Sequence, residues 1–336
     1  MSGKHTIGID LGGTNVKAGV LDAAGKLIHR TAIETQAGRG FDHVFGRLVR
    51  LVDELVAGAG LHKTDIAGIG FGTPGPMSHA EGIIYGAPNL PGWVNIPLRS
   101  RFSAATGLPV TLENDANAAA YGEFVAGAGR GTSDMVLLTL GTGIGGGIVM
   151  GGRLQRGKFD NAAEIGHTIV VANGRACPCG QRGCLERYSS ANAVAERLAE
   201  ALQDGEQSAL RELVERGRKV TSVDVARAAK EGDALAARIW DEACLFLAIA
   251  CVNIQHMVNP ELILFTGGLI GAGAQLLEPV KSHFERQVWR ISRDVPRIAF
   301  ATLGDDAGLI GAAALARLEH GGLQYASPAG QSNASR

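Results

Sequence analysis

The segment from Glu164 to Glu186, E-I-G-H-T-I-V-V-A-N-G-R-A-C-P-C-G-Q-R-G-C-L-E, constrains this chain more than any other. It holds His167, Cys177, Cys179 and Cys184, and so three of the five cysteines. Gly180 and Gly183 let the backbone between the thiols turn sharply enough to aim the sulfurs at one point. Three thiolates and one imidazole are a recurrent tetrahedral set for structural Zn²⁺. The alternative is a group of buried free thiols beside a core histidine. Close spacing between glycines argues against it, since core positions are not spaced that way. A disulfide is disfavoured because Cys177 and Cys179 are too close for easy bridging and an odd thiol remains. His167 lies in an apolar run (Ile165, Ile169, Val170, Val171) that reads as a strand entering the loop.

The acids at the two ends matter as much as the sulfurs. A metal knot between them would fix Glu164 and Glu186 relative to the imidazole. One imidazole nitrogen can bind the metal while the other faces outward as a hydrogen-bonding group. Two carboxylates and an imidazole edge suit a neutral polyhydroxy ligand, because each can take a hydroxyl proton. The pattern therefore predicts a metal-stiffened polyol site and not a catalytic metal.

A length of 336 residues favours two domains with ample core. The formal net charge of −1 suggests neither nucleic acid nor membrane as a partner. No apolar signal region precedes the first strand, and the longest apolar run, Ala243 to Val252, is too short to span a bilayer. Reduced thiols without an export signal point to the cytoplasm. The 48 glycines show no collagen-like period, so they are expected in turns and ligand-hugging loops.

Along the chain, Thr6–Asp10 reads as a buried strand, Leu11–Asn15 as a turn and Val16–Leu21 as a second strand. The D-L-G-G-T run is thus a hairpin and not a Walker loop, which must open a helix. Its glycines can bring backbone N–H groups against phosphate oxygens, with the Thr14 hydroxyl as a further donor. Asp10, at the strand's end, can hold Mg²⁺ directly or through water. An ordinary Gly-Gly hairpin is the plainer alternative. Phe41–Gly58 has apolar residues at helical spacing. Ile66–Phe71 is a strand running into the rigid G-T-P-G-P loop. Gly82–Trp93 reads as a surface loop in which Asn89 and Trp93 could border a ligand.

Asn114 and Asp115 sit where the strand Val110–Glu113 meets the helical run Ala116–Phe124. Both are favoured helix caps. The functional alternative makes Asp115 a general base on a rigid junction. Gly141, Gly143 and Gly146 formally satisfy G-x-G-x-x-G, but a strand follows where the dinucleotide fingerprint needs a helix. A second phosphate-holding hairpin is the more economical reading. It echoes the first, so two halves of like build are expected. Helices are predicted over 191–202, 208–216, 223–230, 234–258, from about 274, and over 309–318. Cys244 and Cys251 read as buried small hydrophobes in the fourth of these. A strand over 262–265 precedes Thr266-Gly267-Gly268.

Taken in order, D-L-G-G-T, E-N-D-A-N (113–117), L-G-T-G-I-G-G-G (140–147), E-I-G-H with the cysteine loop, and T-G-G (266–268) resemble the ROK family of sugar kinases and sugar-responsive repressors. The resemblance covers Thr6 to about Arg317. It implies an α/β, two-domain actin- and hexokinase-like (RNase H-like) ATPase fold with a structural zinc loop. The implied domains are 1–120, joined by a returning helix at 305–319, and a larger one at 121–304. The tail over 320–336, rich in Gly, Ser and Ala, is expected from its composition to be disordered. ATP with Mg²⁺ would lie between the hairpins, against Asp10, Gly12, Gly13, Thr14 and Lys17 on one side and Thr139, Gly141, Thr142 and Gly143 on the other. The adenosine would lie near Gly267 and Gly268. Asn114, Asp115, Glu164, His167 and Glu186 match sugar-holding positions, with Gly75 and Asn89 as weaker matches, and Asp115 matches the base.

The implied reaction is transfer from ATP to the 6-hydroxyl of a hexose, with glucose first. N-acetylglucosamine, N-acetylmannosamine, mannose and fructose are alternatives, because kinases for all of them share these motifs. A repressor would carry a helix-turn-helix before the D-L-G-G-T strand, where only about five residues stand, so nucleic-acid binding is not expected. A nicotinamide or flavin enzyme is disfavoured by the strand after the glycines and by the absence of an acidic residue about 20 positions on in a βαβ context. Family members are often dimers or tetramers, so a homo-oligomer is expected.

Overall fold

In a computed structural model of the protein, residues 4–289, 291 and 294–321 are described. The chain begins β1 (His5–Leu11), β2 (Asn15–Leu21), β3 (Leu27–Glu34), α1 (Phe41–Gly58), β4 (Ile66–Thr73), β5 (Met77–Ser78), β6 (Ile83–Gly86), β7 (Val94–Ile96), α2 (Leu98–Thr106), β8 (Val110–Asn114) and α3 (Asp115–Ala126). It continues with β9 (Met135–Leu140), β10 (Ile144–Met150), β11 (Arg153–Leu154), α4 (Glu186–Ser189), α5 (Ala191–Gln203), α6 (Arg211–Glu215), α7 (Ser222–Lys230) and α8 (Ala234–Met257). The last elements are β12 (Leu262–Thr266), α9 (Ala274–Gln287), β13 (Arg297–Phe300) and α10 (Ala307–His320).

The chain divides into two compact units. Unit one is 1–135, 147–163 and 301–336, and unit two is 136–146 and 164–300. The first unit extends past residue 120 because α3 runs unbroken to Ala126, and because Glu123, in that helix, accepts the N–H groups of Ala128, Thr302 and Leu303. The buried carboxylate thereby holds the segment that leads into α10.

The principal sheet of unit one has the order β3-β2-β1-β4-β8. β1, β2 and β3 are antiparallel neighbours, whereas β4 runs parallel to β1 and β8 parallel to β4. β4 is buried along its whole length. β3 alternates half-buried and exposed residues, as an edge strand does. One face is covered by α10, which packs on β1, β4 and α3. The approach is so close that a Cβ on Gly8 or Gly70 would lie 1.8 Å from a carbonyl oxygen of that helix. The other face carries a core of Val44, Leu48, Leu51, Val52 and Leu55 from α1 with Phe71 and Phe102.

A second sheet has the order β11-β10-β9-β12-β13, again a hairpin-led set followed by two further strands. This matches the two halves of like build expected from the glycine turns. In unit two, Asp233 caps α8 through its side chain and Thr221 with Asp224 forms a capping box on α7. Cys244 and Cys251 are buried in α8.

Several local expectations are corrected. Ile165–His167 forms a 3-10 turn and not a strand, because the following residues make only an isolated bridge, Ile169 to Cys184. Part of the loop 82–93 is strand β6, in a small sheet of order β5-β6-β7. Trp93 is buried at 1% exposure and packs edge-on against Phe41, so it does not border a ligand. β3 and α2 were not anticipated. The tail expected to be disordered lies, from 322 on, outside the described residues.

Candidate active site

The unit-one residues gather at the carboxyl ends of three parallel strands. Asp10 on β1 pairs with Gly72 on β4, and Gly72 pairs with Glu113 on β8. The Asp115 Cα lies 3.6 Å from where a Gly72 Cβ would be. Ligands in α/β sheets collect at such strand ends, because the helices that follow present N–H groups there. Asn114 caps α3, its Oδ1 accepting from the N–H of Ala116 at 2.9 Å and of Asn117 at 3.2 Å. Asp115 Oδ1 accepts from Ala116 N–H at 2.8 Å. Asn114 is thus the helix cap, and Asp115 is the carboxylate left at the junction.

Burial pushes the Asp115 carboxyl above its usual range, against the pull of N–H donors from the first turn. Burial likewise pushes Asp10 up to about 6, and the charges of Asp115 and Asp305 push the same way while Lys17 opposes. Lys17 is held by Asp305 at 2.8 Å. The turn between β1 and β2 is closed by Gly12 N–H to Asn15 O at 3.0 Å and braced by the Thr35 hydroxyl on Gly12 O at 2.6 Å. Thr14 is exposed, Gly13 packs against Asn89, and Gly75 lies in the turn after β4.

In unit two, the β9–β10 turn is closed by Gly141 N–H to Gly143 O at 3.0 Å. Thr139 braces it, its hydroxyl accepting from Gly145 N–H at 3.0 Å. Thr142 stays exposed at the tip. Glu186, at the start of α4, accepts Ile144 N–H at 2.9 Å. The Glu186 carboxylate packs directly on this turn, since a Cβ on Gly143 would sit 2.3 Å from it. The 3-10 turn of Ile165–His167 packs on the same strand start, with Gly166 against Ile144 O. Glu164, just before that turn, is exposed. Gly267 lies against the backbone of Leu140, beside the glycine turn. Beyond Gly268, a cavity of about 590 Å³ is lined by Trp240, Ala272, Gln275 and Pro279 among others.

The ligand atoms of His167, Cys177, Cys179 and Cys184 all lie within 4.8 Å of one another. Cys179 and Cys184 sulfurs are 3.7 Å apart, and Cys177 Sγ is 3.8 Å from His167 Nδ1. A tetrahedral ion with metal–sulfur bonds of about 2.3 Å would give edges of about 3.8 Å. The donor set and its size thus fit a tetrahedral metal. His167 turns Nδ1 to the sulfurs, which leaves Nε2 for another partner. Hydrogen bonding from the Gln181 backbone leads the influences that pull the Cys179 thiol down to about 7, which favours the thiolate a metal needs.

The sequence missed what lies behind Asn114. Glu113 is 2% exposed and bonded to Arg156, and His79 reaches from the Leu112 carbonyl at 2.7 Å to Glu319 at 3.1 Å. Glu113 opens the E-N-D-A-N run, but its role as a buried ion-pair partner is not written there, and no motif marks Arg156, His79 or Glu319.

Known proteins resemble this chain over nearly its whole length. The chain is 38% identical to a protein named glucokinase from Halalkalibacterium halodurans, over 96% of this chain and 98% of that one. The crystal structure of a ROK hexokinase from Thermus thermophilus superposes with a TM-score of 0.81 at 34% identity, covering 94% of this chain and 98% of that one. A ROK family glucokinase from Streptomyces griseus, solved in complex with glucose and AMPPNP, gives a TM-score of 0.74 at 34% identity over 94% and 99% of the chains. The sequence model of the ROK family matches residues 6–319, nearly the whole chain: the chain belongs to that family.

Proposed function

We propose that the protein is an ATP-dependent hexose kinase that phosphorylates the 6-hydroxyl of glucose. The observation that carries this reading is the Asp115 carboxylate, partly buried at the end of β8, beside Asp10 and on a rigid helix start. A base in that setting can accept the proton of a sugar hydroxyl as its oxygen attacks phosphorus. Asn114 would orient the sugar, with Glu164, Glu186 and the Nε2 edge of His167 as further hydroxyl partners. Gly75 and Asn89 are assigned to the rim of that site.

The turns Gly12–Thr14 and Gly141–Gly143 would hold phosphates through backbone N–H groups, aided by Thr14, Thr142 and Lys17. Thr139 would serve by holding the second turn in shape. The cavity beyond Gly267 and Gly268 is assigned to the adenosine. Asp10 would hold Mg²⁺, which supplies charge neutralisation on the phosphoryl oxygens. Zn²⁺ is the metal assigned to His167, Cys177, Cys179 and Cys184, as a structural ion. Among the described residues no helix is long and apolar enough to cross a membrane. A cytoplasmic homo-oligomer without a nucleic-acid partner completes the reading, and light scattering tests its size.

The deciding experiment is ADP release coupled to a dehydrogenase over a panel of hexoses. Glucose should give the highest kcat/KM. Turnover confined to N-acetylmannosamine or another hexose would move the substrate assignment, and turnover with none would overturn the kinase.

A further inference from the structure

Behind the residue taken as the base lies a buried charge with a defined set of partners. Glu113 is 2% exposed, and each of its oxygens is engaged. Oε2 accepts from Arg156 Nε at 2.6 Å. Oε1 accepts from the N–H of Asn114 at 3.1 Å and from Asn117 Nδ2 at 3.0 Å. His79 Nδ1 is 3.9 Å from Oε2 and donates instead to the Leu112 carbonyl. Arg156 is thus the cation that offsets this carboxylate.

Arg156 is itself fixed. It opens a tight loop closed by Ala162 N–H to Arg156 O at 3.0 Å. The loop is tied a second time where Asp160 accepts the N–H of His79 at 2.9 Å. The first tie closes the loop on itself, and the second joins it to His79, which is bonded to the Leu112 carbonyl of β8.

A pair buried in this way is a poor device for stability alone, since matched apolar residues serve as well or better. What it supplies is placement: two of the three donors on Glu113 belong to the peptide and the first helical turn that flank Asp115. We propose that the Glu113–Arg156 pair is a positioning device for the reaction, in which Arg156 acts through Glu113 to fix Asn114 and Asp115. This rests on the reading of Asp115 as the base. Displacing a reacting group by about 1 Å can cost on the order of 10²-fold in rate.

The test uses the full chain with Arg156→Gln, Arg156→Lys, Glu113→Gln and the Glu113→Gln/Arg156→Gln double variant. Arg156→Gln should lower kcat by about 10- to 100-fold. Its KM for the hexose should stay within about threefold of the wild type, because Arg156 is bonded to Glu113 and not to a side chain assigned to the sugar. Arg156→Lys keeps the charge and should recover most of the rate. The double variant should be no worse than the poorer single one, since both remove the same tether. A purely structural pair would instead lower the melting temperature and leave kcat intact. That result, a change confined to KM, or losses that multiply in the double variant would each overturn the proposal.

Wild-type turnover on the hexose panel judges the kinase reading separately. Should no sugar react, the tether is still read by hydrogen exchange at the Asn114 amide. Arg156→Gln should speed that exchange at least about tenfold and Arg156→Lys should not. Unchanged exchange in Arg156→Gln sinks the tether whatever the substrate.

Discussion

Asp10 on β1 and Asp115 at the head of α3 oppose each other's ionisation, the charge of Asp115 adding to the burial that pushes Asp10 up to about 6. A carboxyl raised in the fold binds its proton more tightly there than in the unfolded chain. Its ionisation therefore costs stability, and that cost grows as pH rises from about 4 to about 6 and is constant above. Without divalent metal, Asp10→Asn should stabilise the protein above pH 6 by on the order of 1–3 kcal/mol, and should have no effect near pH 3 to 4. Urea titrations across pH check this. An advantage for the variant that vanished as pH rose would contradict the assigned direction.

Asp115→Asn removes the proton acceptor and keeps the size of the side chain. Turnover should fall by about 10²- to 10⁴-fold with little change in sugar affinity. Because burial raises the Asp115 carboxyl, its protonation should also produce an acidic limb in kcat above the pH of an ordinary carboxylate. Single-turnover kinetics with glucose measure the first effect and a pH–rate profile the second. Wild-type turnover in the variant would assign the proton to another group.

Cys179→Ser should abolish binding of one metal ion per chain, as read by elemental mass spectrometry. Glu164 and His167 would lose their brace, and hexose affinity should fall by about 10- to 100-fold. A wild-type protein purified without metal, or a serine variant that keeps its ion, would remove the metal from the account.

Ala163 adopts a left-handed conformation, φ 69°, immediately before Glu164. A side chain there costs about 1–2 kcal/mol. Glycine relieves that strain but restores freedom to the unfolded chain, worth about 0.4–1 kcal/mol. Ala163→Gly should therefore stabilise the protein by roughly 0.5–1 kcal/mol. A fall in its denaturation midpoint would show that the methyl group makes a packing contribution larger than the strain.

Much of the site was legible because it is written in short local patterns. The two glycine turns, the Asn114 cap and the cysteine loop each depend on neighbours within a few residues. The sheets followed from the same hairpins. What was hidden depends on contacts between distant parts of the chain. Glu113 becomes a buried ion-pair partner only when a loop 43 residues away brings Arg156 to it. Trp93, read as a rim residue from its Gly/Pro-rich surroundings, is buried because Phe41, far off in the sequence, lies against it. The run around His167 looked like a strand from its apolar residues, yet Gly166 must press on Ile144, and a 3-10 turn results.

Helix α10 covers one face of the first sheet, although its residues are the last of the described chain to be synthesised. On the ribosome, β1, β4 and β8 must wait for it with that face uncovered while all of unit two is translated. A chain stopped before Ala307 would leave the glycine-lined floor of that sheet open to solvent, as a target for chaperones and proteases.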